Sequence, residues 1–154
     1  MLSDEERHEI EAELTRYPTR RAASIDAMRI VQRHRGWVSD EALRDLAPLI
    51  QMTVDELDGV ASFYNMIFRR AVGRHVILVC NSVSCWMLGA GRLLDAAAAA
   101  AGAPQGGTSA DRRFTLLPIV CLGACDHAPV LMVDGDLHHD VDPADAASLL
   151  ARYE

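Results

Sequence analysis

Lysine is absent from these 154 residues: all fifteen cationic side chains are arginine, a pattern we read as genome composition. Against 22 acidic residues they leave a net charge of −7. An acidic chain is a poor generic ligand for nucleic acid or anionic membranes, because both are held mainly by excess positive charge. No apolar run approaches the ~18 residues that a membrane-spanning helix requires. Met1–Arg20 is polar and acidic, unlike a secretory signal or transit peptide, so the expected compartment is the cytoplasm. There is no C-x-x-C, no P-loop and no Ser/His/Asp constellation. Gly89-Ala90-Gly91 begins a G-x-G-x-x-G but meets Leu94 at the last position, so a dinucleotide site is not expected there. The small residues of that stretch are expected to give close helix packing instead.

What is present is globular: 50% hydrophobic and 24% charged residues, in a length suited to one ordinary domain with a small satellite. The character changes near Gly73. Residues 1–74 hold no cysteine and read as successive helices. Ser3-Asp4-Glu5-Glu6 and Thr53-Val54-Asp55-Glu56 are capping boxes, in which the hydroxyl and the carboxylate satisfy helix N-terminal N–H groups reciprocally. Ile10, Leu14 and Tyr17 share one helical face, and Pro18 ends that helix. A second helix is expected over about 20–35, stopping at Gly36. A third opens at Ser39 with Leu43 and Leu46 inward. A fourth carries Leu57, Val60 and Ala61. Ser62–Phe68 is dense in large apolar groups and is expected to pack, most naturally against the second half. Its apolar surface is also the candidate for part of a docking region. The stretch Ser39–Ala61 could pass for a helix-turn-helix. Its would-be recognition helix carries Asp55, Glu56 and Asp58 and no arginine, which argues against DNA binding.

Residues 75–154 alternate strands and helices. His75–Val79 is a β-branched apolar run, read as a buried strand. Gly89–Ala101, with six consecutive alanines, reads as a helix stopped by Gly102. Phe114–Val120 is a second strand whose Pro118 argues for a strand end or edge. Val130–Val133 and Leu137–His139 flank the hairpin signal Asp134-Gly135. Pro143 opens a last helix. The order β-α-β-β-β-α fits a small thioredoxin-like sandwich, with a mixed four-stranded sheet and its first two strands parallel. The fold class expected is thus α+β or α/β: a helical bundle at 1–74 and a thioredoxin-like domain at 75–154.

The four cysteines lie just past the two parallel strands, Cys80-x4-Cys85 and Cys121-x3-Cys125, with 35 residues between the pairs. Both pairs should emerge at one carboxyl edge of the sheet, where open α/β sheets place ligands. Buried free thiols, disulfides and a structural zinc site are the competing readings. Zinc knuckles are most often tighter, C-x2-C. Wider loops suit a [2Fe–2S] cluster, which needs two thiolates per iron, and the small residues Ser82, Ser84, Gly123 and Ala124 let backbone N–H groups approach sulfur. His127 falls outside both loops, which argues against a Rieske-type histidine pair. His138 and His139 alternate on a strand and should point apart. Trp37 and Trp86 read as packing residues, with Trp86 beside a ligand and placed to shield it from water.

These motifs, together with Cys121-Leu-Gly-Ala-Cys-Asp-His-Ala-Pro129, Asn81-Ser-Val-Ser-Cys85, Ala61-Ser-Phe-Tyr64, Phe114-Thr-Leu-Leu-Pro118 and the helical start from about Arg20 through Gly36-Trp37-Val38, resemble the thioredoxin-like [2Fe–2S] ferredoxin family. Within it the chain is similar to the small iron–sulfur subunits of bacterial NADH-quinone oxidoreductases, and related modules serve NAD-dependent formate dehydrogenases and NAD-linked hydrogenases. The resemblance covers essentially the whole chain. It implies one [2Fe–2S] cluster on Cys80, Cys85, Cys121 and Cys125, and no catalytic residue of the chain's own. It further implies docking on a flavoprotein subunit that binds FMN and NADH, one-electron exchange with that flavin, and a place in the peripheral arm at the cytoplasmic face of the inner membrane.

Overall fold

A computed structural model describes all 154 residues, which divide into two compact units, Met1–Ala71 and Val72–Glu154. The first unit is four helices: α1 (Asp4–Leu14), α2 (Ser24–Arg35), α3 (Asp40–Ile50) and α4 (Val54–Phe63). Their starts follow from local chemistry. Ser3 and Thr53 form complete capping boxes with Glu6 and Glu56, and Ser39 caps α3 through Ala42 N–H. The second helix is shorter than expected, because Arg20–Ala23 is a 3-10 turn that leads into it. It closes at Gly36, whose φ of 80° is the left-handed conformation glycine adopts without strain. Ile10, Met28, Val31, Leu43, Leu46, Ile50 and Leu57 fill the core of the unit.

One charged group is buried in this unit. Glu6 is 2% exposed and takes two bonds from Arg35, Nε to Oε1 at 2.5 Å and Nη2 to Oε2 at 2.6 Å. A third arrives from Ser3 N–H at 2.7 Å. The Arg35 guanidinium, opposed by burial and helped by Ser3, holds the Glu6 carboxyl down to about 2. The expectation that all of Ser62–Phe68 packs fails: only Ile67 enters the core, while Phe63 is 81% exposed and Tyr64 and Met66 are also exposed. Leu57 and Ala61 define the inward face of α4, and Phe63 lies two residues past Ala61, on the far side of the helix.

The second unit is built on β1 (His75–Cys80), α5 (Val83–Met87), α6 (Ala90–Ala101), β2 (Gly107–Thr108), β3 (Phe114–Ile119), β4 (Leu131–Val133), β5 (Asp136–His138) and α7 (Ala146–Leu150). The sheet order is β2-β3-β1-β4-β5. It is the mixed thioredoxin-like sheet, with five strands rather than four: the added strand, Gly107–Thr108, pairs antiparallel to Leu116 and Thr115. β1 and β3 are parallel in the register His75↔Phe114 to Cys80↔Ile119. Pro118 is tolerated although β3 is interior. It has the parity of Phe114 and Leu116, whose carbonyls accept from the β2 side, and β2 ends before reaching it. Its missing N–H therefore costs no ladder bond. The β4–β5 turn has φ of 56° at Asp134 and 129° at Gly135, and both Asp134 N–H and its carboxylate bind Val76 of β1.

Ala90, Leu93, Ala97 and Ala101 form the buried stripe of α6, so the alanine run lets helix and sheet approach closely. Ile77, Val79, Leu116, Leu131 and Val133 meet the last three of these from the sheet. No helix is long and apolar enough to cross a membrane.

Candidate metal centre

The parallel register fixes where the cysteines stand. Cys80 is the last residue of β1, opposite Ile119 at the end of β3, and Asn81 N–H still donates to Ile119 C=O at 2.9 Å. Both chains then leave the sheet at the same carboxyl edge. The first becomes the five-residue α5, a helix that sequence periodicity does not reveal because it is little more than one turn long. Cys85 is its buried position. Gly89, at φ 100°, reverses the chain into α6. Gly91 does not pack closely as expected: a Cβ there would meet nothing within 4 Å.

The second loop passes Val120 to Cys121, turns at Gly123 with φ 86°, and reaches Cys125 at the start of a 3-10 turn ending at His127. Cys121 Sγ and Cys125 Sγ are 3.5 Å apart, and Gly123 N–H donates to Cys121 Sγ at 3.3 Å. Cys80 and Cys85 pack in a small apolar cluster with Ala90, Ala128 and Val130, against which Leu122, Ala124 and Leu137 also rest. Residues of both cysteine loops thus share one cluster. The structure places one pair buried, Cys80 and Cys85, and one pair exposed, Cys121 and Cys125.

The thiols act on one another. Burial pushes Cys85 up to about 11, with its hydrogen bond to Cys80 and the charges of Cys80 and Cys125 in the same direction. Cys125 is raised chiefly by its hydrogen bond with Cys121. Four neighbouring thiolates repel, and ionising them together requires a compensating cation. Such a set suits soft, thiophilic metal. No three His, Cys, Asp or Glu side chains are gathered to hold a metal ion. The sulfurs stand instead as two pairs, an arrangement that suits a two-iron cluster with two ligands to each iron.

His127 lies outside the sulfur set. Its Nδ1–H donates to Asp140 Oδ2 at 3.0 Å, and its ring stacks on His139 at 5.1 Å between centroids. His138 turns elsewhere, to the Tyr153 hydroxyl at 2.8 Å. Trp86 does not cover the cysteines as a packing residue would: it is 70% exposed. With Cys85 filling the inward position of α5, its neighbours Val83, Trp86 and Met87 face solvent. Leu88 and Val120 are exposed as well. The sequence signal for this rim was the dense apolar run around Cys85 in a segment too short to bury it.

Comparisons with known proteins agree with this geometry. The family model described as thioredoxin-like [2Fe–2S] ferredoxin matches residues 10–154. The E subunit of the NADH-quinone oxidoreductase of Pseudomonas aeruginosa is 46% identical over 153 residues, covering 99% of this chain and 92% of the relative. The Escherichia coli K12 protein of the same name is 44% identical with the same coverage. Among solved structures, an NAD⁺-reducing [NiFe]-hydrogenase in the air-oxidised state is similar in fold, with a TM-score of 0.71 and 24% identity. That match covers 85% of this chain and 22% of the hydrogenase chain. A family match over residues 10–154, on a sheet whose parallel strands deliver two cysteine pairs to one edge, leads to one conclusion: the chain belongs to the thioredoxin-like [2Fe–2S] ferredoxin family.

Proposed function

We propose that this chain is the electron-transfer iron–sulfur subunit of an NADH-quinone oxidoreductase, with one [2Fe–2S] cluster held by Cys80, Cys85, Cys121 and Cys125. The cluster domain is the second unit, Val72–Glu154, and the helical bundle the first, Met1–Ala71. The observation that carries this reading is the delivery of two cysteine pairs to the carboxyl edge of β1 and β3, in a chain 46% identical to the Pseudomonas aeruginosa protein. The buried pair, Cys80 and Cys85, and the exposed pair, Cys121 and Cys125, would together hold the cluster. When bound, the cluster supplies a one-electron carrier. Gly123 N–H, directed at Cys121 Sγ, stabilises negative charge on that sulfur. The chain performs no substrate chemistry; NADH oxidation belongs to a partner flavoprotein subunit carrying FMN. The exposed Val83, Trp86, Met87, Leu88 and Val120 rim the exposed side of the site and suit contact with that partner. In this reading the chain sits in a peripheral arm at the cytoplasmic face of the inner membrane. A second reading, the same module in an NAD-linked hydrogenase or formate dehydrogenase, is favoured only by the fold likeness to the hydrogenase chain.

The test is anaerobic purification with assays for iron, zinc and acid-labile sulfide, alongside visible and EPR spectra. About two irons and two sulfides per chain, with an EPR signal on reduction, are expected. One zinc and no colour, persisting after reconstitution with iron and sulfide, overturns the reading. The proteins that co-purify separate the respiratory setting from the hydrogenase one.

A further inference from the structure

The exposed cysteine loop has little internal support. Between Ile119 and Leu131 its only regular structure is the 3-10 turn Cys125–His127, closed by His127 N–H to Ala124 C=O at 3.1 Å. Its far side is held by a segment distant in sequence, 139–141, which leads out of β5. Asp140 N–H donates to His127 C=O at 2.8 Å, and Val141 N–H donates to Pro129 C=O at 3.0 Å. The Asp140 side chain closes a ring with the first of these, since its Oδ2 accepts from His127 Nδ1–H at 3.0 Å. One residue thus grips one residue by backbone and side chain at once. Asp140 does so from a φ of 50°, a conformation aspartate enters more readily than most residues. The stacked His139 ring covers the same imidazole. A carboxylate can only accept, so His127 is the donor in this bond.

We infer that Asp140 is a positioning residue for the cluster: through His127 it fixes the 3-10 turn that opens at Cys125, and with it the placement of the exposed thiolate pair. The inference rests on the ligand assignment proposed above. Geometry rather than charge is the operative property, because both grips are directional bonds made two residues from the sulfur-bearing one. Asp140→Ala removes the acceptor and the charge. Asp140→Asn removes the charge and keeps an oxygen that His127 can bond. His127→Phe keeps the ring stack on His139 and loses the donor.

The experiment compares these full-length variants with the parent in two ways. Amide exchange of the cluster-free chain is read at 125–129. The EPR g-values and the rate of cluster loss to excess chelator are read in reconstituted protein. We expect Asp140→Ala and His127→Phe to speed exchange at 125–129 and cluster loss several-fold and to shift the g-values. Asp140→Asn should restore parental behaviour in all three. The inference is overturned if Asp140→Ala or His127→Phe matches the parent, or if Asp140→Asn behaves like Asp140→Ala, which would make charge the cause. Iron and sulfide content of the parent tests the ligand assignment separately. Exchange in the cluster-free chain reports on the grip whatever that assay returns.

Discussion

Replacing Glu6 with glutamine isolates the buried charge in the helical unit. Glutamine keeps the side-chain volume and can still return a bond to Ser3 N–H, so the capping box survives. What is lost is the two-pronged ion pair with Arg35. Lowering the Glu6 carboxyl from 4.5 to about 2 corresponds, at about 1.4 kcal/mol per pH unit, to about 3 kcal/mol. Glu6 is buried but Arg35 is partly exposed, so solvent screening reduces this to about 2 kcal/mol. The sign follows from the depressed carboxyl. The stabilisation is complete above pH 4.5, where the unfolded carboxyl is also ionised, and is lost as pH falls from 4.5 towards 2. Urea unfolding of the full chain, followed by helix circular dichroism at pH 7 and at pH 3.5, measures it. Glu6→Gln should be less stable by about 2 kcal/mol at pH 7, with the difference reduced by roughly 1 kcal/mol at pH 3.5. A difference below about 0.5 kcal/mol at pH 7, or one that does not change with pH, refutes the reasoning.

Cys121→Ala should leave the chain folded by circular dichroism but without a stable cluster, read as loss of the iron and sulfide retained by the parent; full retention refutes four-cysteine ligation. Gly73→Ala should destabilise the second unit by about 1–3 kcal/mol, read by denaturant melts. The reason is that an added Cβ would lie 2.8 Å from the backbone carbon of Phe114 and 3.0 Å from Arg112 O. Trp86→Glu should lower affinity for the proposed flavoprotein partner at least tenfold by binding titration while leaving the cluster spectrum unchanged, since Trp86 is exposed and touches no proposed ligand atom through a hydrogen bond.

The parts of the fold that were legible are those governed by neighbours along the chain. Both capping boxes form as written, because an N-cap hydroxyl and a carboxylate three residues later need only one turn to meet. The β-branched run at His75–Val79 and the Asp134-Gly135 turn were equally plain. The four cysteines were legible as two pairs at one sheet edge because each pair lies just past a strand. What escaped was set by contacts between distant residues. Gly107–Thr108 has no strand character of its own and becomes a strand only because Leu116 and Thr115 offer an edge. Trp86 looked like packing material, yet the single inward position of α5 went to Cys85. Phe63 continued an apolar run but fell on the outer side of α4. The grip of Asp140 on His127 joins residues thirteen apart and has no periodic signature.

Sequence alone determined the residue chemistry: helix starts, the parallel strand pair, two thiol pairs and an acidic surface without lysine. These depend on local hydrogen bonding, on side-chain periodicity and on ligand type, all of which are written in consecutive residues. Tertiary structure decided which thiols are buried, which apolar groups remain exposed, and what holds the Cys121–Cys125 loop in place. Those depend on which surfaces meet when the sheet closes, and the register of β1, β3 and β4 settles that only once the chain has folded.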